Sequence, residues 1–589
     1  MLGRRHKKHR YVGKTPDLRS IIDFVAQSCD KIKWKAFFAG NDRRLPALNF
    51  RRRRVARFSG VVAPEVSALC YQLQSSIFSA VRSAVSSQRG KRKSWSNVLP
   101  IERAAHAWLW HSDYAAVPTD KDGGFCLVLL SDLIAVQQDL LSGPWYSLFG
   151  TNCIQQTFRA LVPRYRYLVS EVVKIDDRVS AGLLLSSLNR GHNCILSPLI
   201  HTIKTHKPPG EVAFRPVHSS GAHSFMGLMA WCSLVLKDGL RKYKHLLFSS
   251  QDLINKLEHI EVGTNDVFLH FDLKDFFMTG SARWLVYHSA FVVAPKFREV
   301  YRKVATFILE NQYIGAHLIP HSVYKVVVGS GMGLKCSSEL ADAAFVHAVE
   351  LCGLGLLTRA AADRFAIKSY FRFRDNLLFI GRPEWEKLRS LKQNVIDNIQ
   401  PYVGTLEEVS AVGVTFLDLN LVKDERWRIS RRVSFNPYLK PTSLLQVLSV
   451  RSNHLSHTHA AWMKAYMLRI FRCSSSLVWY RSVKRACLER MSKAGVDRTI
   501  LREVDRASNY TFKSSLSLSV RHPRSSEAFF WVKLPHHPVW TSSITRSLRR
   551  LSEIHGVQEI WRDIDPNVAG FRASWCLNSG SLSSIVRKY

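Results

Sequence analysis

Two aspartates stand where apolar runs with strand character end. Asp272 follows VFLHF at residues 267–271, and Asp375 follows YFRFR at residues 370–374. Carboxylate oxygens are preferred ligands of Mg²⁺, and two carboxylates share an ion only where the fold makes their strands neighbours. The positions lie 375 − 272 = 103 residues apart, so only tertiary structure can bring them together. The sequence therefore predicts a divalent-metal site built by Asp272 and Asp375.

The second stretch also has the pattern of a hairpin. Residues 371–374 and 377–380 flank Asp375 and Asn376, which predicts a two-residue turn at those positions. A plain Asp-Asn turn with no metal is the alternative. In the first stretch Asp275 falls on the opposite strand face from Asp272. We therefore expect Asp272 to be the ligand and Asp275 to make local hydrogen bonds.

A glycine-rich segment lies between the two aspartate stretches. In VVVGSGMGLKCSSELA, residues 326–341, three glycines precede a helix that we expect to begin at Ser337. Glycine lets a backbone approach a neighbour closely, and Ser337 or Ser338 can cap the helix. The segment matches neither the Walker pattern nor the dinucleotide fingerprint.

Upstream, IKTHKPPGEVAFRPVHSS at residues 203–220 predicts a hairpin with a Pro-Pro-Gly turn. It carries Lys204 and Lys207 before the turn and Arg215 after it. Lysine supplies point charge and arginine can bind two phosphate oxygens at once, so a triphosphate is one candidate ligand. Ordinary surface charges are the alternative for each cation.

The composition favours a polyanionic partner. The 589 residues carry a formal charge of +38, and the first hundred alone have 22 Lys and Arg against 5 Asp and Glu. Such clustering favours nucleic acid over an anionic membrane. The 15 Trp and 31 Phe residues suit base stacking, although most must fill the core.

The sequence offers no sign of secretion or membrane insertion. The eleven cysteines form no CxxC pair, which indicates reduced thiols of an intracellular protein. The first residues lack the apolar segment of a signal peptide, and the longest apolar run, 225–236, is too short to span a bilayer, so we predict that it is a buried helix. The basic cluster at residues 4–10 fits a nuclear address or a phosphate-binding arm.

These segments together resemble the reverse transcriptases of Penelope-like retroelements, which are related to telomerase reverse transcriptase. FDLKDFF is similar to the first catalytic motif, GMGLKCSSELAD to MGSPLSPxLAD, FRFRDN to a form of RYxDD, and TFLDLNL to the FLD hairpin that follows. TDKDGG and KTHKPPGEVAFRPVHSS resemble the upstream motifs ADKxxG and KxHKP...RPIVS. YLKPT, SNHLSH and residues 534–551 resemble the thumb pattern, so the resemblance covers about residues 115–580.

The resemblance implies an α+β right-hand polymerase fold with fingers, palm and thumb. It implies a basic, mostly helical nucleic-acid-binding extension at 1–114, an N-terminal and fingers region at 115–262, a palm at 263–435, and a thumb and C-terminal region at 436–589. The implied activity is RNA-directed DNA synthesis with an RNA template, a DNA primer and dNTPs. The sequence leaves the oligomeric state open.

Residue roles follow from motif position. The resemblance makes Asp272 and Asp375 the ligands of two Mg²⁺ ions, with Mn²⁺ as a possible replacement, and puts Asn376 beside them as the third catalytic position. By motif position, Lys207 and Arg215 would bind the triphosphate, and Phe277 would exclude a ribose 2′ hydroxyl. Gly333 and Ser337 would support the templating pair. In the thumb, Lys464, Arg469 and Arg472 of a basic helix at 462–472 would contact phosphates of the primer duplex, and core packing explains the rest of that helix equally well.

Three departures from the family pattern keep other functions open. Asn376 replaces the second aspartate of the usual pair, Lys335 replaces a proline, and no endonuclease module is recognisable before Tyr589. An amide at 376 removes one negative charge, so we expect weaker metal binding. A non-catalytic RNA-binding scaffold is therefore one alternative, and an RNA-dependent RNA polymerase, disfavoured by Phe277, is another.

Overall fold

The computed structural model describes residues 18–40, 57–86, 100–120, 125–150, 153–188, 195–204, 214–221, 223–316, 318–319, 322–355, 359–382, 385–439, 456–493, 495–510, 528–535, 540–564 and 568–576. Helices and strands are mixed along the chain, as the sequence predicts.

The strands are β1 (Tyr114–Pro118), β2 (Phe125–Leu129), β3 (Tyr146–Leu148), β4 (Leu196–Ile203), β5 (Phe214–His218), β6 (Val267–Lys274), β7 (Tyr313–Gly315), β8 (Val323–Val326), β9 (Ile367–Phe373), β10 (Asn376–Gly381), β11 (Val403–Ser410), β12 (Gly413–Phe416), β13 (Leu419–Val422), β14 (Ser434–Pro437), β15 (Ala528–Pro535) and β16 (Val568–Cys576).

The α-helices are α1 (Leu18–Gly40), α2 (Pro64–Ser86), α3 (Pro100–His111), α4 (Leu130–Ser142), α5 (Ile154–Ile175), α6 (Ala181–Leu185), α7 (Met226–Leu240), α8 (Ser250–Leu257), α9 (Ala282–Ala290), α10 (Pro295–Glu310), α11 (Ser337–Phe345), α12 (Arg359–Arg364), α13 (Trp385–Asn398), α14 (Glu425–Ser430), α15 (Ser456–Arg472), α16 (Leu477–Lys493), α17 (Arg498–Ala507), α18 (Thr541–Ser552) and α19 (His555–Ile564). A 3₁₀ turn spans Phe276–Met278, and a π-helix, Val346–Gly353, continues α11.

Both aspartate stretches belong to one four-stranded antiparallel sheet, which we call the central sheet. Its spatial order is β11–β6–β10–β9. The two inner strands are buried on both faces: Phe271 and Phe379 pack toward α11 and α13, while Phe268 and Leu378 pack toward β12–β14. Burial on both faces explains why the apolar runs of β6 and β10 are nearly continuous.

A second sheet of five strands takes β3, β4 and β5 from before the central sheet in sequence, and β7 and β8 from the segment between β6 and β9. Its order is β3–β8–β7–β4–β5, and β4 and β5 form the antiparallel hairpin predicted at 203–220. The turn of that hairpin, at 205–213, lies outside the described residues.

The largest core is helical and surrounds α7. This helix corresponds to the apolar run predicted as a buried helix, and it packs with α5, α9, α10 and α11. Trp231 is 1% exposed, and its indole Nε1 donates to the buried carboxylate of Asp176 at 3.0 Å. The long apolar run is therefore an interior helix, as expected.

Elements from both ends of the described chain share one core, which we call the terminal core. Helices α1 and α2 pack against β15, β16 and α18, with Leu73, Ile77, Val532 and Leu548 at most 1% exposed. The stretch VSALCYQLQSSIFSAV at residues 66–81, whose apolar spacing is helical, is the middle of α2. The division of the chain into four regions stays a prediction, but its first and last regions are packed together.

A third helical core is formed by α15, α16 and α17. None of the helices in the described ranges is both long and apolar enough to cross a membrane.

Candidate active site

The pairing of β6 with β10 brings the two aspartate stretches together. Asp272 lies directly opposite Asn376, and the backbone N–H of Leu273 donates to the carbonyl of Asp375 at 2.9 Å. Side chains of directly paired residues project from the same face of a sheet. Asp272 and Asn376 are therefore neighbours, and Asp375 stands one residue beyond them.

The turn of the β9–β10 hairpin is shifted by one residue from the predicted position. Its two loop residues are Arg374 and Asp375, because Asn376 already pairs with Phe373 as the first residue of β10. Arg374 has φ 57°, the left-handed conformation that two-residue hairpin turns require. The prediction of a turn at Asp375 and Asn376 was wrong because Asn376 is drawn into the ladder by its second partner strand, β6.

Asn376 has two side-chain partners. Its Nδ2 donates to Asp375 Oδ1 at 2.9 Å, and its Oδ1 lies 3.0 Å from Nε2 of His270, two residues before Asp272 on β6. The amide that replaces an aspartate of the family pattern is thus hydrogen-bonded to the neighbouring carboxylate. The sequence offered one signal for His270, a polar residue on the same strand face as Asp272.

The carboxylates near the hairpin turn are of the kind that Mg²⁺ binds. No group of three or more His, Cys, Asp or Glu side chains in the described ranges could hold a metal ion by itself. Protein sites for Mg²⁺ commonly use one or two carboxylates and take their other ligands from water and substrate phosphates. Asp272, near the end of β6, and Asp375, in the turn that leads into the neighbouring strand β10, supply two carboxylates for a site of this kind.

A buried ionic network, which was not predicted from the sequence, lies beneath the hairpin. Arg372 is 0% exposed; its Nε donates to Glu350 at 2.7 Å and its Nη1 to Asp342 at 2.7 Å. Tyr370 and His245 also bond to Glu350, at 2.7 and 2.9 Å. An arginine inside an apolar strand was the available signal, since a buried charge needs a partner.

The neighbouring charges in this network lower the pKa of the Glu350 carboxyl even though that group is buried. Burial by itself would raise the pKa of the Glu350 carboxyl, but the charges of Arg372 and His245 lower it to about 2. Arg374, at the turn, forms a second ion pair with Asp342. The hairpin that carries Asp375 is therefore anchored to α11 and the π-helix by two arginines.

The glycine segment approaches its neighbours as closely as the sequence predicts. Gly329, Gly331 and Gly333 have φ values of 81°, 61° and 118°. A Cβ atom would lie 2.4 Å from Met278 Cα at the first position and 2.3 Å from His218 Nδ1 at the second. Left-handed backbone and close approach both require glycine here.

Ser337 holds the glycine segment instead of capping a helix. Its hydroxyl lies 2.6 Å from the carbonyls of both Ser330 and Gly331, and Cys336 occupies the N-cap of α11 without a side-chain bond. The capping role predicted for Ser337 was therefore wrong, since its hydroxyl turns back to the segment. Ser220 Oγ donates to the Gly333 carbonyl at 2.7 Å, so further carbonyls of the segment are also held.

A buried histidine lies behind the glycine segment. His218 is 1% exposed, its Nε2 lies 3.0 Å from Tyr146 Oη, and its backbone N–H donates to Met332 at 2.6 Å. Burial lowers the pKa of His218 to about 4. The imidazole is therefore neutral near pH 7 and serves as a packing and hydrogen-bonding partner of the segment.

Phe277 lies in the 3₁₀ turn that follows β6, and Asp275 immediately precedes that turn. The carbonyl of Phe277 accepts a bond from the Ser330 N–H at 2.8 Å, which ties this turn to the glycine segment. Asp275 has φ 48° and its carbonyl accepts bonds from Met278 N–H and Thr279 Oγ1 at 2.8 and 2.9 Å. Its described local bonds thus use its backbone.

The predicted phosphate-binding cations have different surroundings. Arg215, on β5, forms an ion pair with Asp120 at 3.0 Å. Lys207 lies outside the described residues. In α15, Lys464 pairs with Glu503 at 2.7 Å and Arg469 pairs with Asp418, while Arg472 is exposed in the last turn. Arg215, Lys464 and Arg469 therefore each have a carboxylate partner that a phosphate would have to displace or share.

Comparison with known proteins gives distant likenesses only. No protein-family model matches the chain, and no curated protein matches it. The solved structures similar to it include telomerase from Candida albicans in complex with a fragment of telomeric RNA, at 12% identity and TM-score 0.37, covering 73% of this chain and 75% of that one.

Apo telomerase from Candida tropicalis is similar at 11% identity and TM-score 0.36, covering 94% of this chain and 88% of that one. The RNA-dependent RNA polymerase of a human picobirnavirus is similar at 11% identity and TM-score 0.40, covering 84% and 89%. These neighbours are telomerases and a viral RNA polymerase, and all three TM-scores lie below 0.5.

Proposed function

We propose that the chain is an RNA-directed DNA polymerase of the Penelope-like type, which adds nucleotides from dNTPs to a primer 3′ hydroxyl. One observation carries the proposal: β6 and β10 pair so that Asp272 lies opposite Asn376, next to Asp375. The order of the sequence motifs, which resembles that of reverse transcriptases, is the basis for proposing nucleotidyl transfer. The pairing supports the proposal because it brings the stretches that carry Asp272 and Asp375 to the same end of the two inner strands of the central sheet.

Asp272 and Asp375 would hold two Mg²⁺ ions, or Mn²⁺ in their place. When bound, the ions supply a lowered pKa for the primer hydroxyl and charge neutralisation for the departing pyrophosphate. The contribution of the chain itself is positioning. The paired strands fix Asp272, and the network around Arg372 restrains the hairpin that carries Asp375.

The substrates would bind around the end of β6 and the start of β10. Phe277 would pack under the sugar and exclude a 2′ hydroxyl, while Gly333 and Ser337 would support the templating pair through the glycine segment. Lys207 and Arg215 would bind the triphosphate. Helix α15 would contact the duplex of RNA template and DNA primer. Lys464, Arg469 and Arg472 would bind its phosphates in a salt-dependent manner, and Lys464 and Arg469 would exchange their carboxylate partners for phosphate.

The test is primer extension by the purified chain on an RNA template with dNTPs and Mg²⁺. We expect Asp272→Asn and Asp375→Asn to lower the rate at least about a hundredfold, because each removes metal-binding charge worth several kcal/mol without changing side-chain shape. Asp177→Asn, which removes the same charge at an exposed position, is the matched control and should extend like the wild type.

Two other outcomes would replace the proposal. Extension with rNTPs in preference to dNTPs would make the chain an RNA-dependent RNA polymerase. Tight, salt-dependent RNA binding with no extension in either Mg²⁺ or Mn²⁺ would make it a non-catalytic scaffold.

A further inference from the structure

Asn376 is where the chain departs from a paired-aspartate pattern, and its hydrogen bonds assign it a task of its own. An ionised carboxylate can only accept hydrogen bonds. The amide must therefore turn its Nδ2 toward Asp375 Oδ1, at 2.9 Å. Its Oδ1 then faces His270 Nε2 at 3.0 Å, so His270 must donate from that nitrogen.

The three side chains form a series of two hydrogen bonds. His270 donates to Asn376, and Asn376 donates to Asp375. The series is held at its far end. His270 is on β6, directly opposite Leu378 of β10, and its ring packs edge-on against Phe416 at 5.4 Å between centroids. The imidazole therefore has a fixed place from which to orient the amide.

We propose that Asn376 and His270 are positioning residues that hold the Asp375 carboxylate in the orientation in which it binds a divalent ion. This inference rests on the proposed function, since it assigns Asp375 to the metal. An aspartate at 376 cannot make the same bond, because two adjacent ionised carboxylates both lack a donor and repel each other. The asparagine is then a matched partner of His270 and not simply a lost ligand.

The inference reverses the direction expected from sequence for one substitution. If Asn376 were only a weakened ligand, Asn376→Asp would leave metal affinity and extension unchanged or raise them. If Asn376 positions Asp375, the same substitution removes the donor and lowers both. We expect Mn²⁺ affinity and extension rate to fall about threefold to tenfold, in line with the net loss of one typical hydrogen bond.

The main experiment measures Mn²⁺ binding by electron paramagnetic resonance titration, which does not depend on turnover. Asn376→Leu keeps the side-chain size without the hydrogen bonds, and we expect about tenfold weaker binding. His270→Phe should weaken binding about threefold to tenfold, whereas His270→Gln retains a donor and should stay within about twofold of the wild type. Because both residues act through one series of bonds, the double variant should bind no more weakly than Asn376→Leu alone.

Thr405→Val is the matched control. Thr405 also lies directly opposite Asp272, on β11, and its hydroxyl bonds to the Asp272 carbonyl at 3.4 Å without touching the series. Its Mn²⁺ affinity should equal that of the wild type. In primer extension, the positioning variants should lower kcat while the KM for dNTP stays within about twofold.

Several outcomes would overturn the inference. They are wild-type Mn²⁺ affinity in both Asn376→Leu and His270→Phe, additive losses in the double variant, no rescue by His270→Gln, or tighter binding by Asn376→Asp. A wild-type chain that binds Mn²⁺ but extends no primer would contradict the proposed function alone. A wild-type chain that binds no Mn²⁺ would contradict both.

Discussion

Arg372 is the single residue with the largest expected effect on stability. It has no exposed surface and bonds to Glu350 and Asp342, so its removal would leave two buried carboxylates with reduced counter-charge. Breaking a buried ion pair from one side costs about 3–5 kcal/mol. We expect Arg372→Met to lower the free energy of unfolding by about that amount, measured by urea denaturation.

Arg428→Met is the control for this prediction. Arg428 pairs with Glu425 at 2.6 Å, but their side chains are 70% and 80% exposed. A solvent-exposed pair contributes about 0–1 kcal/mol, so this variant should unfold almost like the wild type. Equal losses in the two variants would mean that the buried network does not stabilise the hairpin.

The glycine segment joins three elements, because its backbone contacts β5, the 3₁₀ turn after β6 and the start of α11. Gly331→Ala would put a methyl group 2.3 Å from His218 Nδ1 in a backbone with φ 61°. We expect a loss of about 2–4 kcal/mol, the sum of the left-handed backbone cost and displacement of a buried side chain. Thermal unfolding and primer extension should both register the displacement.

Gly495→Ala separates the two contributions. Gly495 has φ 86°, but a Cβ atom there would meet nothing within 4 Å. It should lose only the backbone part, about 1–2 kcal/mol, and keep full extension activity. A Gly331→Ala variant no worse than Gly495→Ala would show that close packing on His218 is unimportant.

For the molecule as a whole, the terminal core couples the two ends of the described chain. Leu73 of α2 is 0% exposed and packs in the same core as α18, more than 460 residues later in the sequence. Leu73→Ala should destabilise this core by about 2–5 kcal/mol through the cavity it leaves. The expected readout is faster amide hydrogen exchange in α18 as well as in α2.

Tyr71→Ala provides the comparison within the same helix. Tyr71 is 72% exposed, so its truncation removes little buried surface. Exchange in α18 should then be unchanged. If Leu73→Ala accelerated exchange in α2 alone, the two ends would be folding as separate units.

Local sequence was sufficient for several elements. Apolar spacing indicated α2, a continuous apolar run indicated α7, and the Pro-Pro-Gly turn predicted the β4–β5 hairpin. Three glycines predicted a close approach that the short distances at Gly329, Gly331 and Gly333 confirm. These features depend on residues close together in the chain. The turn position and the helix-capping role of Ser337 were predicted wrongly, because pairing with β6 decided the first and the carbonyls of Ser330 and Gly331 decided the second.

The sequence by itself determined the candidate residues for chemistry: Asp272 and Asp375 at the ends of apolar strands, with Asn376 in place of a carboxylate. Only the tertiary structure decided which side chains lie next to these residues, because strand register sets which side chains meet across a sheet. That register put Asn376 opposite Asp272 and within reach of His270, while the packing of β9 against the π-helix placed Arg372 next to Glu350. No local pattern specifies such pairings, since they join positions separated by 372 − 350 = 22 residues in the closest case and 376 − 270 = 106 in another.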